Sequence, residues 1–258
     1  MPDSQTTTLD ADVSGPDDAY TLIRRALGPK SIETGDFLGA CHRDFTHIRQ
    51  DTDDVVGDHF VFFMHLEQDC EPVHPEDNPD RQRCEIKVAE SAGHLQGKEG
   101  DTFSYSWLFR IDGQMPVSKH FTHLFQLKSV GGDDGHPVVT ITGEKEGGVD
   151  TLQVRWSPSE ADTVLARHAW ASARDRWLQV WCQAKFARDG FLKLSVKSLA
   201  EGTTLLHVDR QGLSLWRGGE FVRPKWGIYR RTDDPANLRP DEESVRFARI
   251  SITREDGP

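Results

Sequence analysis

The chain has 258 residues, 36% of them hydrophobic, and a formal net charge of −11. That balance excludes duplex nucleic acid as a general partner, because such binding needs a broad basic field, yet it leaves room for a local basic cleft. No apolar run approaches the roughly 18 residues of a membrane helix, so no membrane partner is expected.

Residues 1–18, rich in Asp, Thr and Ser, read as a flexible arm, and residues 19–258 as one domain. The first 15 residues lack the charged and apolar segments of a secretory signal, so as read the chain is cytoplasmic. Residues 18–27 predict a short helix stopped by Gly28-Pro29. Beyond them helical periodicity is scarce. Runs rich in β-formers or alternating in polarity recur at 59–67, 83–88, 103–111, 119–130, 138–142 and 152–156. They continue at 177–185, 191–197, 204–209, 226–230 and 245–252. Turn signals separate them, the strongest being Gly131-Gly132-Asp133-Asp134-Gly135. Many short strands without βα alternation predict an all-β sandwich or jelly roll.

Four cysteines, Cys41, Cys70, Cys84 and Cys182, form no CxxC pair, which gives zinc weak support. Buried free thiols are the expected state, with one bridge such as Cys70–Cys84 left open. Asp133-Asp134-Gly135 lacks the full spacing of a calcium loop and reads as a plain turn.

Chemistry concentrates on three strand segments. Lys225, Gly227 and Tyr229 stand at i, i+2 and i+4, one face of a strand. Only three tyrosines exist, Tyr20, Tyr105 and Tyr229. Arg83, Glu85 and Lys87 share a second face. Gln126 and Lys128 share a third, with His120 and Thr122 on the same parity upstream, which assigns Phe121, Phe125 and Leu127 to the core. Plainer roles exist for each: a solvated Arg83–Glu85 ion pair, a satisfied structural amide at Gln126, a packed tyrosine at 229. His65 is the leading imidazole candidate, followed by His120 and His123. Trp177, Trp181 and Trp226 are expected in the core, while Trp107 and Trp216 are candidates to stack on a ligand.

In order and spacing, Arg83-x-Glu85, Gln126-x-Lys128 and Lys225-x-Gly227-x-Tyr229 resemble the blocks R-x-E, Q-x-H and Y-x-K-A-G-x-Y of the jelly-roll polysaccharide lyases. Phe103-Ser104-Tyr105-Ser106-Trp107 and the 224–230 block are most similar to the heparin-lyase-I-like and glucuronan-lyase-like branch, related to alginate lyases of the same fold. The resemblance runs from about residue 55 to residue 252. Two departures stand out: Lys128 occupies the usual histidine position, and Arg223 replaces the opening tyrosine of the third block.

The resemblance implies a concanavalin A-like β-jelly roll with a concave groove, acting on a uronic-acid polymer, glucuronan first, by β-elimination. Catalysis is expected from Tyr229, Gln126 and Arg83, with His65 added as the best imidazole since Lys128 departs from the pattern, and substrate binding from Lys128, Lys225, Glu85, Lys87, Tyr105, His120 and Arg223. Neutralising the uronate carboxylate suits Gln126 and the bidentate guanidinium of Arg83. Tyr229 suits the acid, and also the base should nearby cations lower its pKa from about 10. The chain is expected to act as a monomer on an acidic polysaccharide, with no required cofactor and no assigned metal ligand. A structural Ca²⁺ on oxygen ligands is permitted, and family practice is export. A non-catalytic lectin-like jelly roll is the alternative. A glycoside hydrolase ranks below it, since that chemistry needs a pair of free carboxyl groups.

Overall fold

The computed structural model describes residues 5–159 and 161–255. In chain order the first strands are β1 (Gln5–Leu9), β2 (Ile32–Glu33), β3 (Ile48–Asp53), β4 (Gly57–Met64) and β5 (Arg81–Lys87). Next come β6 (Thr102–Ile111), β7 (Thr122–Val130), β8 (Val139–Glu146), β9 (Val149–Trp156) and β10 (Thr163–Ala169). The last are β11 (Leu178–Lys185), β12 (Gly190–Ser198), β13 (Thr204–Leu213), β14 (Phe221–Arg231) and β15 (Glu243–Glu255). Three helices, α1 (Ala19–Leu27), α2 (Gly35–Leu38) and α3 (Trp170–Ala173), lie between them.

Alternation explains the strands. Along β11, Leu178, Val180, Cys182 and Ala184 turn inward; along β12, Leu192, Leu194 and Val196 do the same. Burying one face of each strand demands a second layer, and two antiparallel sheets supply it. One has the order β13-β12-β11-β6-β15-β4-β3 with β1 added on β15; the other is β10-β9-β8-β7-β14-β5-β2. Aromatic rings lock them together: Trp107 of β6 lies 4.4 Å from Phe125 of β7 and 6.0 Å from Trp226 of β14. The result is an all-β jelly-roll sandwich. Helix α1 forms where expected: Asp18 caps it by accepting from the Thr21 amide (2.7 Å), and Gly28 ends it at φ +97°.

Several expectations are corrected here. Residues 5–9, read as part of a flexible arm, pair as β1 with β15. Tyr105, a substrate-binding candidate, shares the inward face of β6 with Phe103 and Trp107 and is wholly buried; no sugar reaches it. Trp107 is likewise core, whereas Trp181, expected in the core, is 41% exposed. The disulfide joins Cys41 to Cys70, with Cα atoms 6.2 Å apart. Cys84 is free because its parity on β5 sends it into the core, away from the Cys70 loop.

Candidate functional site

The outer face of the seven-stranded sheet gathers the charged residues. On β5, Cys84 and Ile86 point into the core, so Arg83, Glu85 and Lys87 point out. Strand β14 pairs with β5 in unbroken register, setting Lys225 against Lys87, Gly227 against Glu85 and Tyr229 against Arg83. On its other side β7 sets Gln126 against Lys225 and Lys128 against Arg223.

Past Gln126 the register slips. His123, rather than Thr122, lies opposite Tyr229, and β7 slips again against β8 between His123 and Phe125. A one-residue slip exchanges faces. Leu124 and Phe125 therefore both enter the core, while Phe121 and a still-buried His123 turn to the outer face beside Tyr229. The Phe121 ring stacks on His123 at 4.3 Å and sits 5.2 Å from Tyr229; His123 and Tyr229 centroids are 6.0 Å apart. This corrects the parity reading: Phe121 is not core, and His120 leaves the row to pair with Asp233 at 3.1 Å. His123 thus stands on the same face as Tyr229, five residues from Lys128.

The bulge rests on Gly227. Its φ is +141°, and a Cβ would run into the Cys84 carbonyl oxygen and lie 2.7 Å from the Glu85 Cα. Gly227→Ala is expected to cost about 2–4 kcal/mol, combining backbone strain with overpacking. A thermal melt reads it; an unchanged midpoint would show that the slip tolerates a side chain.

Three glutamates neutralise three cations beneath this row. Glu85 accepts from Gln126 Nε2, from Arg83 at 2.6 Å and from Lys225 at 2.8 Å. Glu33 of β2 holds Lys225 and Lys87, each at 2.5 Å. Glu71, from the loop before β5, takes Arg83 at 2.7–3.0 Å on both carboxylate oxygens. Burial would raise the Glu33 carboxyl, but Lys225, Arg83 and Lys87 outweigh it and hold it well below the usual carboxylate range. None of the three glutamates is free to act as a hydrolase acid.

The Arg83 fork is occupied by Glu71 and Glu85, and its guanidinium lies 3.7 Å from the Tyr229 ring centroid. Lys225 and Lys87 are ion-paired supports. The surplus charge sits elsewhere. Among the described residues, Arg223 and Lys128 have no carboxylate within 4.0 Å: Arg223 donates to the Val88 carbonyl at 3.4 Å and Lys128 to that of Asp134. Burial pulls the Lys128 ammonium down to about 8, with Lys225, Arg217 and Arg83 adding to the effect against Asp134. Arg81, two residues before Arg83 on the same parity and given no site role from the sequence, donates to the Tyr229 hydroxyl at 2.7 Å.

Burial lifts the Tyr229 phenol above 10, and Arg83 and Arg81 offset that only in part. The expectation that cations would turn it into a ready base is thus reversed; Tyr229 is protonated at neutral pH. Burial, reinforced by Arg155, Arg83, Lys225 and Arg81, pushes His123 well below 6.5, and its Nδ1 has no hydrogen-bond partner among the described residues. Above pH 6.5 folded and unfolded chains both carry a neutral His123. Below that, the unfolded imidazole binds a proton that the folded one refuses. Stability therefore falls as pH drops from 6.5 toward the depressed folded value, by up to about 1.4 kcal/mol per pH unit. His123→Gln should flatten this slope in urea unfolding between pH 7 and about 5; an unaltered slope would place the titration elsewhere.

His65 does not join this row. It follows β4 in the other sheet, with Nδ1 3.4 Å from Asp69 and Nε2 3.2 Å from Glu242. Trp216, a stacking candidate, lines a polar cavity of about 300 Å³ with Asp133, Arg188, Ser214 and Arg217.

Comparison with known proteins agrees with this architecture. The chain is similar in structure to an endo-β-1,4-glucuronan lyase from the fungus Trichoderma reesei, with a TM-score of 0.57 and 13% identity, covering 96% of this chain and 94% of that one. An alginate lyase in complex with alginate trisaccharide gives a TM-score of 0.65 at 9% identity, covering 97% and 98%. A marine alginate lyase from Aplysia kurodai gives 0.61 at 12% identity, covering 96% and 98%. Among curated proteins, none matches the chain by sequence. The family described as Polysaccharide lyase matches residues 32–245, most of the chain. The chain belongs to that family, the carbon–oxygen lyases that act on polysaccharides.

Proposed function

We propose that the chain cleaves a 1,4-linked polyuronate by β-elimination, with glucuronan-type polymers as the first substrate class. The observation that carries this reading is the pairing of a protonated phenol and a neutral imidazole, 6.0 Å apart, on a face whose surplus charge is cationic. The C5 hydrogen of a uronate becomes removable only when its carboxylate is neutralised. Arg81 and Gln126 flank the pair. Glu85 engages one amide N–H of Gln126, which leaves the second for the sugar carboxylate.

In the reaction His123 takes the C5 proton, the C4=C5 double bond forms, and the C4–O4 bond breaks. Tyr229 protonates the departing O4. In β-D-glucuronate the C5 hydrogen and O4 lie on the same ring face, which suits a base and an acid standing side by side. In L-guluronate they lie on opposite faces. Burial first, and then the surrounding cations, depress His123 in the free chain; an arriving carboxylate opposes the cationic part and so raises its basicity. Lys128 lies five residues along β7 from His123, roughly 16 Å at ~3.3 Å per residue, too far to reach the same C5. With Arg223 it suits a neighbouring uronate.

The test is a panel of glucuronan, mannuronate-rich and guluronate-rich alginate, heparin and hyaluronan, followed by the ultraviolet absorbance of the unsaturated product. Turnover of glucuronan above the guluronate-rich polymer is expected. Silence across the panel would sink the reading, and preference for guluronate would sink the side-by-side assignment.

A further inference from the structure

Away from the Tyr229 row, three imidazoles converge on one carboxylate. His42 Nδ1 lies 2.9 Å and His47 Nε2 2.7 Å from Asp69 Oδ1, and His65 Nδ1 lies 3.4 Å from Oδ2. One ligand atom from each of the four residues falls within 4.8 Å of every other. From this convergence the geometry points to a His₃Asp site for a divalent transition metal, zinc by its donor chemistry, formed by His42, His47, His65 and Asp69.

The donor set favours zinc over calcium, since imidazole nitrogens suit Zn²⁺ and oxygen ligands suit Ca²⁺. Three neutral imidazoles and one carboxylate match its four-coordinate preference. Bonds of about 2.0–2.2 Å place neighbouring donors about 3.3 Å apart, so the widest separation must close by about 1.5 Å, within reach of side-chain rotation.

Three further observations support a built site. Metal-bound histidines commonly hand their other ring nitrogen to a carboxylate. Here His47 Nδ1 lies 2.7 Å from Asp36, itself held by the Tyr20 hydroxyl at 2.6 Å, and His65 Nε2 lies 3.2 Å from Glu242. The inward nitrogen of His65 is buried without a hydrogen-bond partner. The Cys41–Cys70 disulfide abuts His42 and Asp69 in sequence and so ties two ligand-bearing loops together.

The site has a consequence for the outer face of the other sheet. Asp69 stands two residues before Glu71, whose carboxylate grips Arg83. Metal capture would hold the loop that supplies Glu71, and through it the guanidinium under Tyr229. None of these ligands comes from the cysteines, which is why residue spacing alone gave no metal.

The rival arrangement is metal-free, with His47 as an imidazolium between Asp36 and Asp69. Burial pulls His47 down, but hydrogen bonds to those carboxylates outweigh it and lift it to about 9. The two are separable. Chelator-treated full-length protein is dialysed against zinc chloride and its metal content is measured, alongside thermal melts with and without zinc. Uptake of about one zinc per chain, a raised midpoint, and the visible bands of tetrahedral cobalt(II) on substitution are expected. His65→Ala should weaken uptake by about 100-fold or more, while His207→Ala, on β13, should leave it unchanged. Less than a tenth of an equivalent of zinc with no shift in the midpoint overturns the proposal and selects the imidazolium. Uptake untouched by His65→Ala overturns it as well, and the wild-type titration decides the matter should that variant not fold.

Discussion

Tyr229→Phe should lower kcat by about 10²–10⁴-fold, the span ordinarily carried by one positioned acid, with little change in fold stability. The asymmetry follows from how the ring is held. Its packing comes from the Arg83 guanidinium at 3.7 Å and Phe121 at 5.2 Å, and both contacts survive loss of the hydroxyl. Only the 2.7 Å hydrogen bond from Arg81 disappears, a net loss of about 1 kcal/mol. Single-turnover product formation and a thermal melt on the same preparation measure the two quantities. Activity within a few-fold of wild type would remove Tyr229 from the chemistry; a collapse of the melt would make it a structural residue instead.

Glu85→Ala should be the most destabilising substitution in the row, at about 3–5 kcal/mol, because removing one partner leaves charges buried and uncompensated. Glu85 is wholly buried and receives Arg83, Lys225 and Gln126 together. Without it, Lys225 keeps only Glu33, and Arg83 keeps Glu71 with a distant Glu33 at 3.5 Å. At ~2–4 °C per kcal/mol for a chain of this size, the midpoint should fall by about 6–20 °C. Asp175→Ala is the contrast: its ion pair with Arg110 is exposed and contributes at most about 1 kcal/mol. Equal midpoints for the two variants would mean that the carboxylate lattice does not organise the site.

Much of the architecture was legible because one face of each strand must be buried. The alternation at 178–185 and 191–197 translates directly into the inward rows of β11 and β12. The i, i+2, i+4 reading of Lys225, Gly227 and Tyr229 held because β14 pairs with β5 without interruption. The same logic failed on β7. Phe121-Thr122-His123-Leu124-Phe125 alternates plausibly on either parity, and the slip opposite Gly227 and Ile228 is set by partner strands rather than by β7 itself. That is how His120 displaced His123 in the parity reading. Strand β3, with Ile48 its sole hydrophobic residue, and the two-residue β2 carry too little pattern to find. Glu33 and Glu71, which neutralise the row, sit in or beside such segments and had no signal. Tyr105 misled because its block resembled that of relatives while its parity pointed inward.

The most direct measurement is a crystal structure of the Tyr229→Phe variant with a glucuronan oligosaccharide bound. The account predicts a uronate whose carboxylate meets Gln126 and Arg81, whose C5 faces His123 and whose O4 faces residue 229, with the next acid toward Lys128 and Arg223. A sugar seated in the Trp216 cavity, or one whose C5 faces Lys128 with His123 out of reach, would contradict it.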